Sequence, residues 1–223
     1  MSELSTTSPA PGGNRLGAIA DELATKGWSW QPGLLPDALT AALREELLAR
    51  DAQADLEAAG IGREGDFQVD RTIRRTRITW FDGSTPAQKD FQIWSEGLRT
   101  SLNRDLMLGL FEMEVCFAVY PPGGFYERHL DSFAGARNRV ISLVAYLNAD
   151  WDEARGGALA VWPEGAGDND PPAARVTPQP GGVMLMLSEA IPHEVEITHE
   201  KRLGLAGWWR VNQSGIGKID PLS

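Results

Sequence analysis

Two histidines and one aspartate could act together in this chain: His129 and Asp131, separated by Leu130, and His193 in a later stretch, with Arg202 following it. Two imidazoles and one carboxylate are the donor set of a non-haem ferrous site that keeps open positions for a co-substrate and dioxygen. On an extended strand, residues i and i+2 project from the same face, so His129 and Asp131 can grip one ion together. His193 must then arrive from another strand. Arg202 offers a planar guanidinium fork suited to a carboxylate. Together the four residues predict an oxygenase that uses Fe(II) and 2-oxoglutarate.

Taken singly, each signal is weak. With 31 acids among 223 residues, any histidine has about a one-in-seven chance of an acid two places on. A lone histidine in an apolar strand is more often a hydrogen-bonded core residue than a ligand. Economy tips the balance, because the chain has 3 histidines and two fall into the pattern. The third, His199, sits in Thr198-His199-Glu200-Lys201 and reads as a solvated hairpin tip. An arginine judged alone is as readily a structural ion pair. Its place in one hairpin with His193 favours a ligand-binding role.

The elements that must position these residues change character along the chain. Leu16, Ile19, Ala20 and Leu23 recur at helical spacing, and Lys26-Gly27 closes that segment. Pro36-Asp37 opens a second helix carrying Leu39, Ala42, Leu43, Leu47 and Leu48, with a possible extension to Gly60. A third runs from near Pro86 through Phe91, Trp94, Leu98 and Leu102 to about Leu106. Between them, Phe67 to Trp80 is rich in β-branched residues and reads as strand or hairpin.

From Phe111 onward the pattern becomes short strands punctuated by turns. These are Phe111 to Tyr120, Phe125 to Asp131, Arg139 to Leu147, Ala158 to Trp162, Ala174 to Thr177, Val183 to Leu187, His193 to Ile197 and Leu203 to Val211. Such a set after a helical prelude predicts a mainly β chain with N-terminal helices. Its core would be a double-stranded β-helix, or jelly roll, flanked by helices on one sheet. Residues 1–13, rich in Ser, Thr, Pro and Gly, read as a disordered tail. Residues 14–223 read as a single catalytic domain, with 14–108 mainly helical support and 109–213 the jelly-roll core.

The last strand is apolar on both faces, Leu203, Leu205, Trp209 and Val211 on one and Gly204, Ala206 and Trp208 with Arg202 on the other. It should therefore be covered on both sides. Arg202 would look inward with Gly204, Ala206 and Trp208, while His193, Val195 and Ile197 would look inward from the preceding strand. Gly204 and Ala206 would leave room for a small diacid. A buried arginine needs a partner, from the protein or from a ligand. Tyr120 and Tyr146 are candidates to lend hydroxyls to the co-substrate.

Composition narrows the function classes. A net charge of −10 argues against a nucleic-acid surface, which needs a basic footprint. The single cysteine, Cys116, allows no internal disulfide and fits a reducing compartment. No apolar run approaches the ~20 residues needed to cross a bilayer, and the first residues do not form a signal peptide. A cytoplasmic location is expected, without nucleic-acid or membrane partners. The arginines Arg71, Arg74, Arg75 and Arg77 read as a solvated strand face, with contact to an acidic substrate segment as the alternative.

Longer blocks carry a resemblance. Tyr120-Pro121-Pro122-Gly123-Gly124 followed by His129-Leu130-Asp131 resembles the entry to the site in prolyl hydroxylases of the 2-oxoglutarate/Fe(II) oxygenase superfamily. Val144 to Trp151, Gly156-Gly157-Ala158-Leu159, Trp162-Pro163-Glu164-Gly165, His193-Glu194-Val195, Arg202 and Trp208 follow in the family's order. Ile73-Arg74 and Ile78-Thr79-Trp80 resemble a segment of the oxygen-sensing prolyl hydroxylases and their bacterial relatives. The likeness covers about residues 70 to 212.

By that resemblance, His129, Asp131 and His193 would be iron ligands, and Arg202 would hold the distal carboxylate of 2-oxoglutarate. Tyr146 would assist it, Tyr120 would be a second active-site tyrosine, and Leu159 and Trp208 would line the substrate cavity. Ascorbate is a further cofactor expectation. The partners would be dioxygen and a protein carrying a target proline, such as a translation factor. The retained Asp131 speaks against a halogenase. Arg75-Thr76 and Ser132-Phe133 depart from the family's usual residues beside the peptide entrance. A hydroxylase of a free amino acid or small metabolite, or a cupin-like metal-binding module without turnover, are the alternative readings.

Overall fold

The computed structural model describes residues 13–59, 72–132 and 139–212. Three helices precede or flank the sheets: α1 (Gly13–Lys26), α2 (Asp37–Ala52) and α3 (Pro86–Leu106). The third starts cleanly because the Thr85 hydroxyl accepts from the Gln88 amide and Pro86 occupies the first turn. It stops at Met107, which adopts a left-handed backbone with φ 54°.

The strands are β1 (Trp28–Gln31), β2 (Glu57–Ala58), β3 (Arg77–Trp80), β4 (Leu110–Tyr120), β5 (Tyr126–His129) and β6 (Arg139–Tyr146). They continue with β7 (Leu159–Val161), β8 (Ala174–Val176), β9 (Val183–Leu187), β10 (His193–Val195) and β11 (Arg202–Val211). Seven form one sheet in the order β1-β9-β6-β11-β4-β3-β2, and four form a second in the order β5-β10-β7-β8. Every pairing is antiparallel. This is the jelly-roll architecture expected from the turn-punctuated strands.

The two faces of the large sheet do different work. Leu203, Leu205 and Trp209 of β11, Phe117 and Val119 of β4, and Ile141 and Leu143 of β6 share a core with Leu23, Leu43, Leu47, Phe91, Trp94 and Leu98 of the helices. Each such side chain, fully buried, contributes about 1.5–3 kcal/mol of transfer free energy, which anchors the sheet's position. The opposite face turns toward the small sheet. Ala118, Tyr120, Tyr146, Met184 and Met186 meet Leu159, Val161, Val176 and Val195 there. The strand alternation thus sends the last strand's second face inward, as expected.

Several boundaries differ from the sequence reading. The second helix ends at Ala52 rather than near Gly60, and Ala54 has φ 59°, a left-handed turn that a helix cannot continue through. The strand expected over Phe67 to Trp80 spans Arg77–Trp80, and residues 60–71 lie outside the described residues. Residues 1–12, including most of the expected tail, also lie outside them. Ile197 does not face inward, because β10 ends at Val195 and Ile197 is 57% exposed. β1, Trp28-Ser29-Trp30-Gln31, alternates apolar and polar over only four residues, with both tryptophans toward the inner cluster, and it pairs with β9; the sequence reading assigned no strand there.

Candidate active site

His129 is the last residue of β5 and stands directly across from His193 at the start of β10. Asp131 follows two residues after His129, and one ligand atom from each of the three lies within 4.8 Å of the others. Asp131 Oδ1 is 3.5 Å from His129 Nε2, and Oδ2 is 3.4 Å from His193 Nε2. Donors about 2.1 Å from one cation and at right angles are about 3 Å apart. One donor from each residue lies within 4.8 Å of the others, so a small contraction would let the three hold one metal ion.

Backbone carbonyls fix which nitrogen each imidazole presents. His129 Nδ1 lies 2.7 Å from the Glu127 carbonyl and His193 Nδ1 lies 3.0 Å from the Ile191 carbonyl. A carbonyl only accepts, so each Nδ1 carries the proton and each Nε2 turns a lone pair to the centre. Burial alone would raise the Asp131 carboxyl, but His193, His129 and the Ser142 hydroxyl outweigh it and hold the group well below the usual carboxylate range. Burial pushes His193 down to about 4, with Asp131 opposing and His129 adding to the effect. A neutral imidazole and an ionised carboxylate are the forms that bind metal.

This has a consequence for the metal-stripped protein. Unfolded His193 takes up its proton near 6.5 and folded His193 near 4, so between those values the unfolded chain binds more protons. Stability contributed by the neutral ring is therefore lost as pH falls through that window, by on the order of 3 kcal/mol at most. Urea unfolding of metal-free protein at several pH values from 7 to 4.5 should show this slope, and His193→Gln should remove most of it. An unchanged slope in that variant would remove His193 from the account.

The second half of the site is cationic. Arg202, 2% exposed, sits opposite Tyr120 in the β4–β11 register, and its guanidinium lies 4.9 Å and 5.1 Å from the ring centres of Tyr120 and Tyr146. Its Nε donates to the Gly157 carbonyl at 2.9 Å. Its Nη2 and the Tyr146 hydroxyl are buried and lack a hydrogen bond of normal length, although the two groups interact with each other. Burial pushes the Tyr146 phenol up to about 12, against Arg202, so it keeps its proton and can donate. Leaving such donors unpaired costs about 1–3 kcal/mol each, which a carboxylate ligand would recover.

Gly157 makes this arrangement possible. Its φ is +68°, and a Cβ there would lie 3.0 Å from Arg202 Cδ and 3.0 Å from Thr198 Cβ. Gly204 serves a different purpose from the one expected, since a Cβ on it would meet the Ala145 carbonyl at 2.8 Å. Its small size permits close strand approach rather than adding ligand volume. Tyr120 meets Arg202 through its ring face.

Aromatic and cationic groups ring the centre. Tyr126 stacks on His129 with ring centres 3.6 Å apart, and the Arg74 guanidinium lies 4.5 Å from the Tyr126 ring centre. Trp208 lies 6.1 Å from Trp80 and carries the Arg139 guanidinium 3.8 Å above its ring. Leu159 is fully buried and stands opposite Val195. The arginine cluster is less uniform than a solvated face. Arg75 is exposed, Arg74 packs on Tyr126, Arg77 pairs with Asp51 at 2.6 Å, and Arg71 lies outside the described residues. His199 is exposed, as expected, and burial pushes the Cys116 thiol up to about 11, as suits an inert thiol.

Sequence reasoning passed over Tyr126, Ser142 and Ser188. The signal for Ser142 was available, since a serine on the inward face of an apolar strand must find a partner.

Residues 115–210 match the family described as the 2OG-Fe(II) oxygenase superfamily. A prolyl-4-hydroxylase from Pseudomonas putida is 38% identical, with a TM-score of 0.77 over 88% of this chain and 98% of that one. A prolyl hydroxylase from Trichoplax adhaerens, solved with a hypoxia inducible factor peptide fragment, shares the fold at 22% identity, with a TM-score of 0.76 over 88% of this chain and 89% of that one. The epimerase SnoN, solved with Fe3+, alpha ketoglutarate and nogalamycin RO, shares it at 14% identity, with a TM-score of 0.64 over 95% and 94% of the two chains. The chain belongs to the 2OG-Fe(II) oxygenase superfamily and is of the prolyl hydroxylase type. It is a dioxygenase whose metal is Fe(II) and whose co-substrate is 2-oxoglutarate. Among the described residues no helix is long and apolar enough to cross a membrane.

Proposed function

We propose that this enzyme hydroxylates prolyl residues within a polypeptide, with His129, Asp131 and His193 holding the iron and Arg202 with Tyr146 holding 2-oxoglutarate. One observation carries the site assignment. Two of the buried donors without a normal hydrogen bond, Arg202 Nη2 and the Tyr146 hydroxyl, lie with the inner cluster of Tyr146 and Val195, and Val195 is two residues from His193 on β10. The residues fit both groups: a neutral His pair with an ionised aspartate suits ferrous iron, and a guanidinium beside a protonated phenol suits a carboxylate.

Bound iron and 2-oxoglutarate supply oxidative decarboxylation with dioxygen, giving succinate, carbon dioxide and an oxygen atom for the substrate. The chain's own residues bind and orient. The Glu127 and Ile191 carbonyls keep both imidazoles in the metal-binding tautomer. Gly157 aims Arg202 by accepting from Nε, which leaves the end of the fork for the co-substrate. The inward apolar side chains of Leu159, Val161 and Met184 exclude water from the interior.

A prolyl substrate agrees with an aromatic rim of Tyr126, Trp80 and Trp208, in which His129 and Arg74 pack on Tyr126 and Arg139 packs on Trp208. A free amino acid would bring an ammonium and a carboxylate that each need a partner. Among the described residues the acidic and basic side chains classed as buried are His193 and Arg202, and both are committed. The 38% identity to a prolyl-4-hydroxylase points the same way.

The test is incubation of the protein with Fe(II), 2-oxoglutarate and a cell lysate, followed by mass spectrometry for oxygen gain on proline. A translation factor is the first substrate to inspect. Wild-type enzyme should label a discrete set of prolyl sites, and the His129→Ala, Asp131→Ala double variant should label none. Equal labelling by both proteins would end the hydroxylase reading.

A further inference from the structure

Behind the metal triad lies a pair of buried serines that binding of the cofactors leaves unexplained. Ser142 and Ser188 are each 1% exposed. The Ser142 hydroxyl donates to Asp131 Oδ2 at 2.6 Å, and its oxygen lies 2.8 Å from the Ser188 hydroxyl. An ionised carboxylate can only accept, so the single Ser142 proton goes to Asp131. Ser188 must then donate to Ser142, and the chain of donors runs one way, from Ser188 through Ser142 to Oδ2. Ser188 is itself fixed by its backbone, which donates to the Val140 carbonyl at 3.0 Å and accepts from the Ser132 amide at 3.2 Å.

We propose that Ser142, backed by Ser188, is a positioning residue: Oδ2 also faces His193 Nε2 at 3.4 Å, and the Ser142 proton on one of its lone pairs favours metal binding through Oδ1 alone. This rests on the reading of Asp131 as a metal ligand. The reason is a count of positions. Ferrous iron in a facial site has six, three protein donors take three, the two donor atoms of 2-oxoglutarate take two, and one stays open. A carboxylate that bound through both oxygens would close that last place. Ser142 suits this task because it sits on the inward face of β6 with Val144 and Tyr146, two and four residues on, so its strand is tied to both halves of the site. A short charge-assisted bond to Oδ2 also restrains rotation of the carboxylate.

The experiment compares wild type with Ser142→Ala, Ser142→Thr, Ser188→Ala and Asp131→Ala in two readouts that need no substrate. These are Fe(II) affinity by anaerobic titration, and the affinity of the Fe(II)–2-oxoglutarate protein for nitric oxide, a stand-in for dioxygen read by electron paramagnetic resonance. Ser142→Ala should weaken Fe(II) binding by about 10–100-fold, the usual effect of losing an outer partner, and weaken nitric oxide binding by at least a similar factor. Ser142→Thr keeps the hydroxyl and should restore both. Ser188→Ala should shift both in the same direction by a smaller factor, and it carries the test if Ser142→Ala does not fold. A merely structural serine would lower the melting temperature without moving either affinity. Wild-type values of both affinities in Ser142→Ala, or in Ser188→Ala where the former does not fold, would overturn the proposal. Unchanged Fe(II) affinity in Asp131→Ala would instead overturn the ligand reading beneath it.

Discussion

Replacing Arg202 by alanine should raise the 2-oxoglutarate needed for half-maximal turnover by about two orders of magnitude or more. Truncating one member of a buried, hydrogen-bonded charge pair costs about 2–5 kcal/mol, and each 1.4 kcal/mol is tenfold in affinity. Here the guanidinium is 2% exposed, its Nη2 lacks a hydrogen bond of normal length, and Nε is occupied by Gly157. Among the described residues the Tyr146 hydroxyl is the other buried donor proposed for the co-substrate's far carboxylate. Fe(II) affinity should stay within a few-fold of wild type, because Arg202 is separated in role from the triad. Arg202→Lys should fall between the two, since an ammonium keeps the charge but loses the planar fork. Succinate formation across a 2-oxoglutarate series, alongside Fe(II) titration, checks all three. An unchanged requirement for 2-oxoglutarate would reassign Arg202 to holding the Gly157 loop.

Asp131→Ala should have the largest effect on the metal. Losing an outer partner of a ligand typically weakens metal binding about 10–100-fold, and removing the ligand itself exceeds that. Turnover should fall below detection. Stability separates this from simple unfolding. In wild type, Fe(II) or Co(II) should raise the melting temperature, because an ion that binds only the folded state stabilises it by mass action. In Asp131→Ala that rise should vanish while the metal-free variant still unfolds in one cooperative transition. A metal-dependent rise of normal size in the variant would show that Asp131 is no ligand.

The readable part of the site was the part governed by local spacing. His129 and Asp131 sit two apart on extended chain, and Arg202 opens a strand whose alternation sends it to the same side as Gly204 and Trp208. Turn residues between apolar runs gave the strand count and the jelly roll, since Pro121-Pro122-Gly123 cannot continue a ladder. Strand ends were harder to place. β10 stops two residues before Ile197, because only His193 to Val195 find partners in both neighbouring strands. Short β1 alternates over only four residues, too brief a run to announce a strand, and is fixed by pairing with β9.

The residues that stayed hidden depend on contacts between distant stretches. Nothing in Arg139 to Tyr146 says that Ser142 will touch Asp131, and nothing in Tyr126 says that its ring will cover His129. By itself the chain determined which side chains could form a ferrous donor set and which strand faces turn inward, because covalent periodicity decides both. Only the tertiary structure decided that His129 stands opposite His193, that Gly157 aims Arg202, and that two serines hold the back of Asp131. Those facts follow from strand register and sheet-on-sheet packing, which are set by the whole hydrophobic core rather than by any local run of residues.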